Sequence, residues 1–442
     1  MKPGITDRGN HMERRAVITG VGVITPLGIG KDENWKRLCA GESGIGPLSR
    51  FKPEEIGVYT AGEVKNFKAS DFIKDRKAIK LTFPMVHLAV GAAQLAVEDS
   101  GIKTETLEPS RFGGFIGSGG GGFEEGAGFP DLVEPLVQSW SEEKKKFDPV
   151  KFGADGIART YPLFLLKTLP NNAFYYISLQ HNIQGENDNI IASFTGGAQA
   201  IGDAARTIRR GSADIAIAGG YDSLLLPTTL FGFNKLELLS RNPDPAAACR
   251  PFDLNRDGMV LSEGAGMVVI EELSRARSRG ARIYAEITGY GSASSAHHLY
   301  QPCPSGNGIR IALEKSLADA GMAPADVDYI NADGIGTVMS DKAESLAIAA
   351  VFGPRAQKVP VSATKSMTGH LGTGAGGAEL IFSALALQEG ILPPTINYAT
   401  PDPDCPLDCI PNHAREQKIT TALSINQGLG GQCTCLIIRK VE

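Results

Sequence analysis

The sequence predicts an α/β fold made by duplication of one unit. Stretches with strand character alternate with stretches that carry a helical apolar stripe, which is the order typical of an α/β protein. The order of helix, glycine stop and strand also occurs twice, once around Gly101 and once around Gly321. Such a repeat indicates that one βα unit is present in two copies. We therefore expect two halves whose sheets pack around shared helices.

The elements of the two copies follow from local patterns. In the first copy, residues 16–23 predict a strand, and the apolar stripe at 85–96 predicts a helix that stops at the following glycine. Residues 112–117 predict the next strand, which opens into a glycine-rich tract. In the second copy, the helix at 311–320 also stops at a glycine, and residues 326–331 predict the strand after it.

Domain boundaries are placed from the repeat. Residues 14–278 are expected to form the N-terminal half and residues 279–442 the C-terminal half. Residues 124–188 interrupt the first copy, and their content suits an insertion used for contacts or as a lid. Residues 1–13 are polar and without pattern, and we treat them as a tail.

Composition excludes several classes of function. The 442 residues are 42% hydrophobic and 21% charged, and the net charge of −5 gives no overall basic field for nucleic acid. No apolar run is long enough to span a bilayer, so we predict a cytoplasmic protein that binds no membrane. The seven cysteines are scattered and lack the spacing of a metal site, so we predict neither a disulfide framework, a metal nor a cofactor.

The segment at 189–210 carries the main functional signal. An extended run turns through small residues into a helical pattern, and this arrangement presents one side chain beside helix N-terminal N–H groups. A nucleophile would be stabilised there, but the residue at the turn is Phe194. A phenyl ring can neither attack a substrate nor stabilise an oxyanion. A buried core phenylalanine in an unrelated strand is the structural alternative.

Several motifs, taken together and in order, resemble those of β-ketoacyl-acyl carrier protein synthases of the thiolase superfamily. The resemblance covers about residues 15–440 and rests on the stretches 17–22, 41–46, 249–258, 279–286, 364–370 and 428–431. It implies the thiolase fold, with duplicated βαβαβαββ halves in a five-layer αβαβα arrangement.

The resemblance also implies which positions are catalytic in condensing members. Their elbow cysteine corresponds to Phe194, and their first histidine corresponds to Asp333. Only the second histidine, His370, and the preceding Lys365 remain. Because condensation needs a thiolate nucleophile and neutral imidazole donors, we expect no catalytic residue and no condensation by this chain alone. Two structural alternatives stay open. In one, Asp333 is a solvent-exposed carboxylate in a turn; in the other, His370 and Lys365 are kept only for their hydrogen bonds and packing.

Further positions take their roles from the same resemblance. The gating phenylalanine of condensing members corresponds to Gln427, and Leu429 follows it in the same glycine-rich turn. Gly119 and Phe123 are expected near the subunit interface, where the depth of the acyl tunnel is set. Glu344 matches a position that holds Lys365, which implies an ion pair between them.

One branch of the family shares the two losses. The β-subunits of bacterial type II polyketide synthases, called chain length factors, lack the cysteine and often have Ala-Asp at the first histidine, as Ala332 and Asp333 do here. Those β-subunits usually carry glutamine at the elbow, whereas this chain has Phe194 and retains Lys365 and His370. The resemblance implies a heterodimer with an active ketosynthase, contact with an acyl carrier protein and its tethered chain, and a role in polyketide or polyene biosynthesis.

Two other functions stay open from the sequence. The chain could be a ketosynthase-like decarboxylase or acyltransferase that uses His370 and Lys365. Decarboxylating relatives commonly keep both histidines and place an amide at the elbow, which counts against this alternative. The second is a homodimeric scaffold without catalysis and without a ketosynthase partner.

Overall fold

A computed structural model describes residues 14–119 and 132–441 of the chain. Within these ranges the strands and helices are numbered in chain order. The strands are β1 (Ala16–Thr25), β2 (Gly28–Ile29), β3 (Ile45–Pro47), β4 (Thr60–Gly62), β5 (Phe112–Ser118), β6 (Trp140–Ser141), β7 (Lys146–Phe147), β8 (Asn187–Ile190), β9 (Ile215–Ser223), β10 (Glu263–Glu272), β11 (Ala285–Ser294), β12 (Tyr329–Asn331), β13 (Pro360–Ser362), β14 (Ile391–Leu392), β15 (Asp408–Cys409), β16 (Arg415–Glu416), β17 (Thr421–Gln427) and β18 (Gln432–Arg439).

The helices differ widely in length, from single turns to seventeen residues. They are α1 (Lys31–Cys39), α2 (Pro53–Ile56), α3 (Arg76–Lys80), α4 (Pro84–Ser100), α5 (Glu134–Gln138), α6 (Pro149–Lys151), α7 (Ile157–Arg159), α8 (Phe164–Thr168), α9 (Asn172–His181), α10 (Gly196–Arg209), α11 (Pro227–Lys235), α12 (Pro245–Ala248), α13 (Leu273–Ser278), α14 (Asn307–Ala320), α15 (Val338–Phe352), α16 (Lys365–Thr368) and α17 (Ala375–Glu389). None of the helices in the described ranges is both long enough and apolar enough to cross a membrane.

The main sheet shows the duplication directly. Its strand order is β15-β13-β12-β17-β18-β11-β1-β10-β9-β5-β8. In the first half, β1 pairs antiparallel with β10, β10 antiparallel with β9, β9 parallel with β5, and β5 parallel with β8. In the second half, β11 pairs antiparallel with β18, β18 antiparallel with β17, β17 parallel with β12, and β12 parallel with β13. The two halves thus repeat one ladder pattern and meet at a short β1–β11 pairing.

Helices lie on both sides of each half-sheet. On the outside, α4 contacts β1 and β10, and α14 contacts β11 and β18. Between the halves, α10 and α17 contact each other, and each contacts strands of both halves. The order of layers is therefore helix, sheet, helix, sheet, helix, as the resemblance implied.

The central helix α17 is apolar on nearly every side, which is typical of a helix surrounded by protein. It packs against β10 at a contact between two glycines. A Cβ on Gly377 would lie 2.0 Å from the carbonyl oxygen of Gly266, so only glycine permits this approach. The close contact holds the start of α17 next to the strands that carry the site.

The element predictions are largely confirmed. The predicted strands at 16–23 and 112–117 correspond to β1 and β5, and both predicted helices end at a left-handed glycine. The strand predicted at 326–331 is shorter than expected. A 3₁₀ turn over Pro324–Asp326 takes the start of that segment, so the strand is only Tyr329–Asn331.

Candidate active site

The candidate site lies where the parallel strands of both halves end. Strands β8, β5 and β9 are parallel neighbours, and so are β17, β12 and β13. Carboxyl ends of parallel strands meet at one sheet edge, where open α/β sheets bind ligands. The residues predicted for the site follow these strand ends.

The turn that presents Phe194 is a tight elbow fixed by hydrogen bonds. Strand β8 ends at Ile190 and α10 begins at Gly196, so the predicted strand–turn–helix is confirmed. Ser193 has a φ of +50°, a left-handed conformation that is uncommon for serine. Its hydroxyl accepts a hydrogen bond from the Leu429 amide at 3.1 Å, and its carbonyl accepts one from the Thr373 hydroxyl at 2.9 Å. Such strain persists only where the surroundings fix it.

Phe194 fills the space in front of this elbow. Its side chain is buried in an apolar cluster that includes Leu224 and Leu261. Its ring centroid lies 6.1 Å from that of Phe233 and 4.3 Å from that of His370. Phe194 is thus buried, as the core alternative expected, but it lies at the elbow between β8 and α10 and not in an unrelated strand. The elbow geometry is retained, and an aromatic ring occupies it.

His370 is a neutral imidazole with one free donor. Burial, followed by the positive charge of Lys365, holds the pKa of this histidine well below its usual value. Nδ1 accepts a hydrogen bond from the Gly372 amide at 3.1 Å, which places the ring proton on Nε2. Within the described chain Nε2 has no hydrogen-bond partner. The ring can therefore donate to a ligand, although Phe194 packs against it.

Lys365 is held by two carboxylates. Its Nζ donates to the carbonyl oxygen and to Oδ1 of Asp333, both at 2.8 Å, and lies 2.6 Å from Oε1 of Glu379. Burial alone would lower the pKa of Lys365, but the charges of Asp333 and Glu379 outweigh it, and the pKa is raised. The ammonium is charged and its three donors are used, so Lys365 is not available as a base or nucleophile.

Asp333 is buried, and the exposed-turn alternative for it is wrong. Its carboxylate points at Lys365 because the buried ammonium needs a counter-charge.

The site opens into a cleft of about 460 Å³. Its lining mixes apolar side chains with hydroxyls and one carboxylate: Met85, Gly119, Ser193, Phe194, Asp222, Ser223, Leu224, Leu226, Thr228, Thr229, Phe233, Thr373 and Leu429. Among the described residues no cysteine lines it. Cys303 and Cys433 instead border a separate small pocket, and burial raises the pKa of the Cys433 thiol to about 12.

Comparison with protein families agrees with this geometry. The beta-ketoacyl synthase N-terminal domain matches residues 13–276, and the beta-ketoacyl synthase C-terminal domain matches residues 284–399. The chain belongs to the β-ketoacyl synthase family. Its fold is accordingly the thiolase-like fold of ketosynthases.

Relatives of this β-ketoacyl synthase family member include curated enzymes. The 3-oxoacyl-[acyl-carrier-protein] synthase 2 of Coxiella burnetii is 40% identical over 430 residues, covering 97% of this chain and 99% of the relative. The protein of the same name from Staphylococcus aureus is 38% identical over 429 residues, with the same coverage.

Solved structures of the family are also similar. The ishigamide ketosynthase/chain length factor matches with a TM-score of 0.85 and 31% identity, covering 98% of this chain and all of that one. A type II polyketide synthase ketosynthase in complex with its acyl-carrier protein and bound to the hexaketide matches with a TM-score of 0.84, 31% identity and the same coverage.

The ion pair expected for Glu344 is wrong. Its carboxylate accepts the backbone amides of Asp333 at 2.7 Å and Gly334 at 2.9 Å. Glu379 takes the place beside Lys365, and it also accepts a hydrogen bond from Asn426 at 2.7 Å. Glu344 therefore holds the loop after β12 and does not pair with the lysine.

The tunnel residues expected from the family fall into three groups. Gly119 and Leu429 line the cleft beside Phe194. Gln427 ends β17 and lines the small pocket with Cys303 and Cys433. Phe123 lies outside the described residues.

Sequence reasoning missed Glu379 and Asp222. Glu379 is the only acid in the buried part of helix α17, residues 375–387, and an acid in such a segment is a signal that a buried cation is near. Asp222 comes close to the end of β9, where a polar residue after an apolar strand marks a sheet edge. Burial raises the pKa of Asp222 to about 6, although amides of Thr373 and Ser223 and the Thr373 hydroxyl hydrogen-bond to it.

Proposed function

We propose that this chain is a non-condensing β-subunit, a chain length factor, that pairs with an active ketosynthase and helps bound the tunnel in which the partner's acyl chain grows. The observation that carries the proposal is Phe194 at a preserved elbow. Without a thiol the chain cannot accept an acyl group, and no described cysteine lines the cleft to replace it.

The ionic cluster behind the elbow supports the same proposal. Condensing relatives use two imidazoles, and here one of them is replaced by Asp333, which pairs with Lys365. Groups that act as a unit in catalysis are not independent, so loss of two of them leaves little rate enhancement. The decarboxylase or acyltransferase alternative would rest on His370 alone, because Lys365 is fully engaged.

The molecule also carries a surface suited to a partner subunit. Strand β8 is the last strand at one edge of the main sheet, and Ile191 directly after it is 57% exposed. Most of the large apolar side chains exposed in the described ranges lie between residues 137 and 191. An open edge and exposed apolar side chains are features of a protein interface.

A partner ketosynthase explains this surface best. One similar structure is titled as a ketosynthase/chain length factor, and another as a ketosynthase in complex with an acyl-carrier protein. The curated relatives are named as synthases, and we propose that this chain differs from them in function because its elbow residue is Phe194. We propose that its partners are an active ketosynthase and the carrier protein that brings the acyl chain.

Co-expression tests the assignment. The chain would be produced with the ketosynthase encoded beside its gene, isolated by a tag on this chain, and weighed by native mass spectrometry. We expect a one-to-one dimer that extends carrier-bound acyl groups, and loss of extension when the cysteine of the ketosynthase is replaced. Isolation of homodimers only, or a ketosynthase whose products are the same without this chain, would favour the scaffold alternative.

A further inference from the structure

The cleft beside Phe194 has two chemically distinct parts. Phe194, Leu224, Phe233 and Leu429 belong to one apolar cluster. Hydrogen bonds join a second set of lining residues, since the Thr373 hydroxyl donates to the Ser193 carbonyl and the Thr373 amide donates to Asp222. A chain bound in this cleft therefore meets a continuous polar group as well as an apolar one.

Asp222 is the charged member of the polar part, and it is only 6% exposed. Its Oδ2 accepts the Thr373 amide at 3.1 Å and lies 3.3 Å from the Thr373 hydroxyl. Its Oδ1 accepts the Ser223 amide at 2.9 Å. A carboxylate has about four acceptor positions, so at least one position on Oδ1 is unused within the described chain.

Two glycines let the backbone lie directly against the carboxylate. A Cβ on Gly119 would lie 2.2 Å from Oδ1 of Asp222, and a Cβ on Gly372 would lie 2.3 Å from Oδ2. Gly119 lines the same cleft as Asp222. Any side chain at position 119 would thus press on the oxygen that has acceptor capacity left.

We propose that Asp222 accepts a hydrogen bond from a hydroxyl group carried by the acyl chain, so that the cleft selects an oxygenated chain over a saturated one. The inference rests on the proposed function, because it assumes that the chain grown by the partner reaches this cleft. A saturated chain would shield the unused acceptor position of Oδ1 from water without offering a donor, which is unfavourable for a buried carboxylate. A hydroxyl on the chain supplies a further hydrogen bond to that position.

The test compares acyl groups of equal length, one series saturated and one with a single hydroxyl at successive positions. Binding of their pantetheine thioesters to the purified chain is measured by calorimetry, and their extension on the carrier protein is measured with the mixed dimer. We expect one hydroxylated position to be preferred about tenfold. The change Asp222→Asn, and independently Gly119→Ala, should reduce this preference to less than about threefold.

Asp32→Asn is the matched control, because Asp32 is exposed on α1 and does not line the cleft. It should leave the preference unchanged. Thermal unfolding identifies a variant that fails to fold, and the other variant then decides. Equal binding of both series to the chain, or a preference that survives both changes, overturns the inference. If the mixed dimer extends neither series while the chain still shows the preference, the proposed function fails and the inference stands.

Discussion

The elbow, the left-handed Ser193 and the neutral His370 are all present beside Phe194. Under the proposed function, the chain lacks a thiol at the position of Phe194 and a second imidazole at the position of Asp333. The family fold is kept with both of these residues in place.

Restoring the thiol alone should therefore not restore condensation. In Phe194→Cys, position 333 still supplies no imidazole donor, so activity should stay within background. Adding Asp333→His should give weak activity, because Glu379 still neutralises Lys365. The measurement is extension of an acyl-carrier with malonyl-carrier, followed by mass spectrometry. Clear activity of the single variant would show that Asp333 is no obstacle.

The buried lysine is expected to be structural. Removing it in Lys365→Ala leaves Asp333 and Glu379 as uncompensated buried carboxylates, which should lower the free energy of unfolding by about 3–5 kcal/mol. Lys342→Ala removes an exposed ion pair with Asp404 and should change the free energy of unfolding by less than about 1 kcal/mol. Urea denaturation of both variants checks the difference. Equal effects would mean that the buried cluster does not depend on its cation.

The pH dependence of stability should carry the signature of Asp222. Burial raises its pKa in the folded state to about 6, from 3.8, so the folded state binds a proton that the unfolded state has released. Its contribution is present below pH 3.8 and is lost as the pH rises through 6. As the pH rises from 4 to 7, the free energy of unfolding of wild type should fall relative to that of Asp222→Asn by about 2 kcal/mol. Urea denaturation gives the free energy of unfolding of both proteins at each pH. If the two free energies change equally with pH, the raised pKa of Asp222 is contradicted.

At the scale of elements, strand β8 links the site to the surface. It runs along the open edge of the sheet and leads within a few residues to Phe194. Strand β8 ends at Ile190, because the left-handed Ser193 cannot continue an extended chain. A partner that pairs with β8 would thus be joined directly to the elbow.

A charge beside this edge should weaken assembly. We expect Ile191→Lys to raise the dimer dissociation constant at least tenfold, without changing the melting temperature of the separated chain. Leu254→Lys is the control, since Leu254 is 51% exposed and lies far along the chain from β8. Analytical ultracentrifugation of both variants gives the comparison. Equal weakening by both, or by neither, would exclude β8 from the interface.

At the scale of the whole molecule, the duplication was predictable because each copy keeps its own helix stop and strand. The repeated ladder pattern supports our proposal that the halves divide near residue 279. The repeat predicted sheets packed around shared helices, whereas the five-layer arrangement followed only from the resemblance, since strand patterns do not give sheet order.

The positions of some site residues were also predictable from the sequence. Phe194, Asp333, Lys365 and His370 follow strand ends, and their motifs place them at one edge. Their partners were not predictable, because the carboxylate that reaches Lys365 depends on how α17 crosses the sheet. Glu379 and not Glu344 occupies that place. The cleft and Asp222 likewise emerge only when β5, β9 and the start of α17 are brought together.

The most direct test of the non-condensing assignment uses the purified single chain with malonyl-carrier and acyl-carrier protein. Intact-mass spectrometry would follow acyl transfer to the chain, and chromatography would follow decarboxylation and extension. The account predicts no covalent acyl adduct, no steady formation of acetyl-carrier and no extended product. An acyl group on any cysteine of the chain, or sustained turnover to acetyl-carrier, would contradict it.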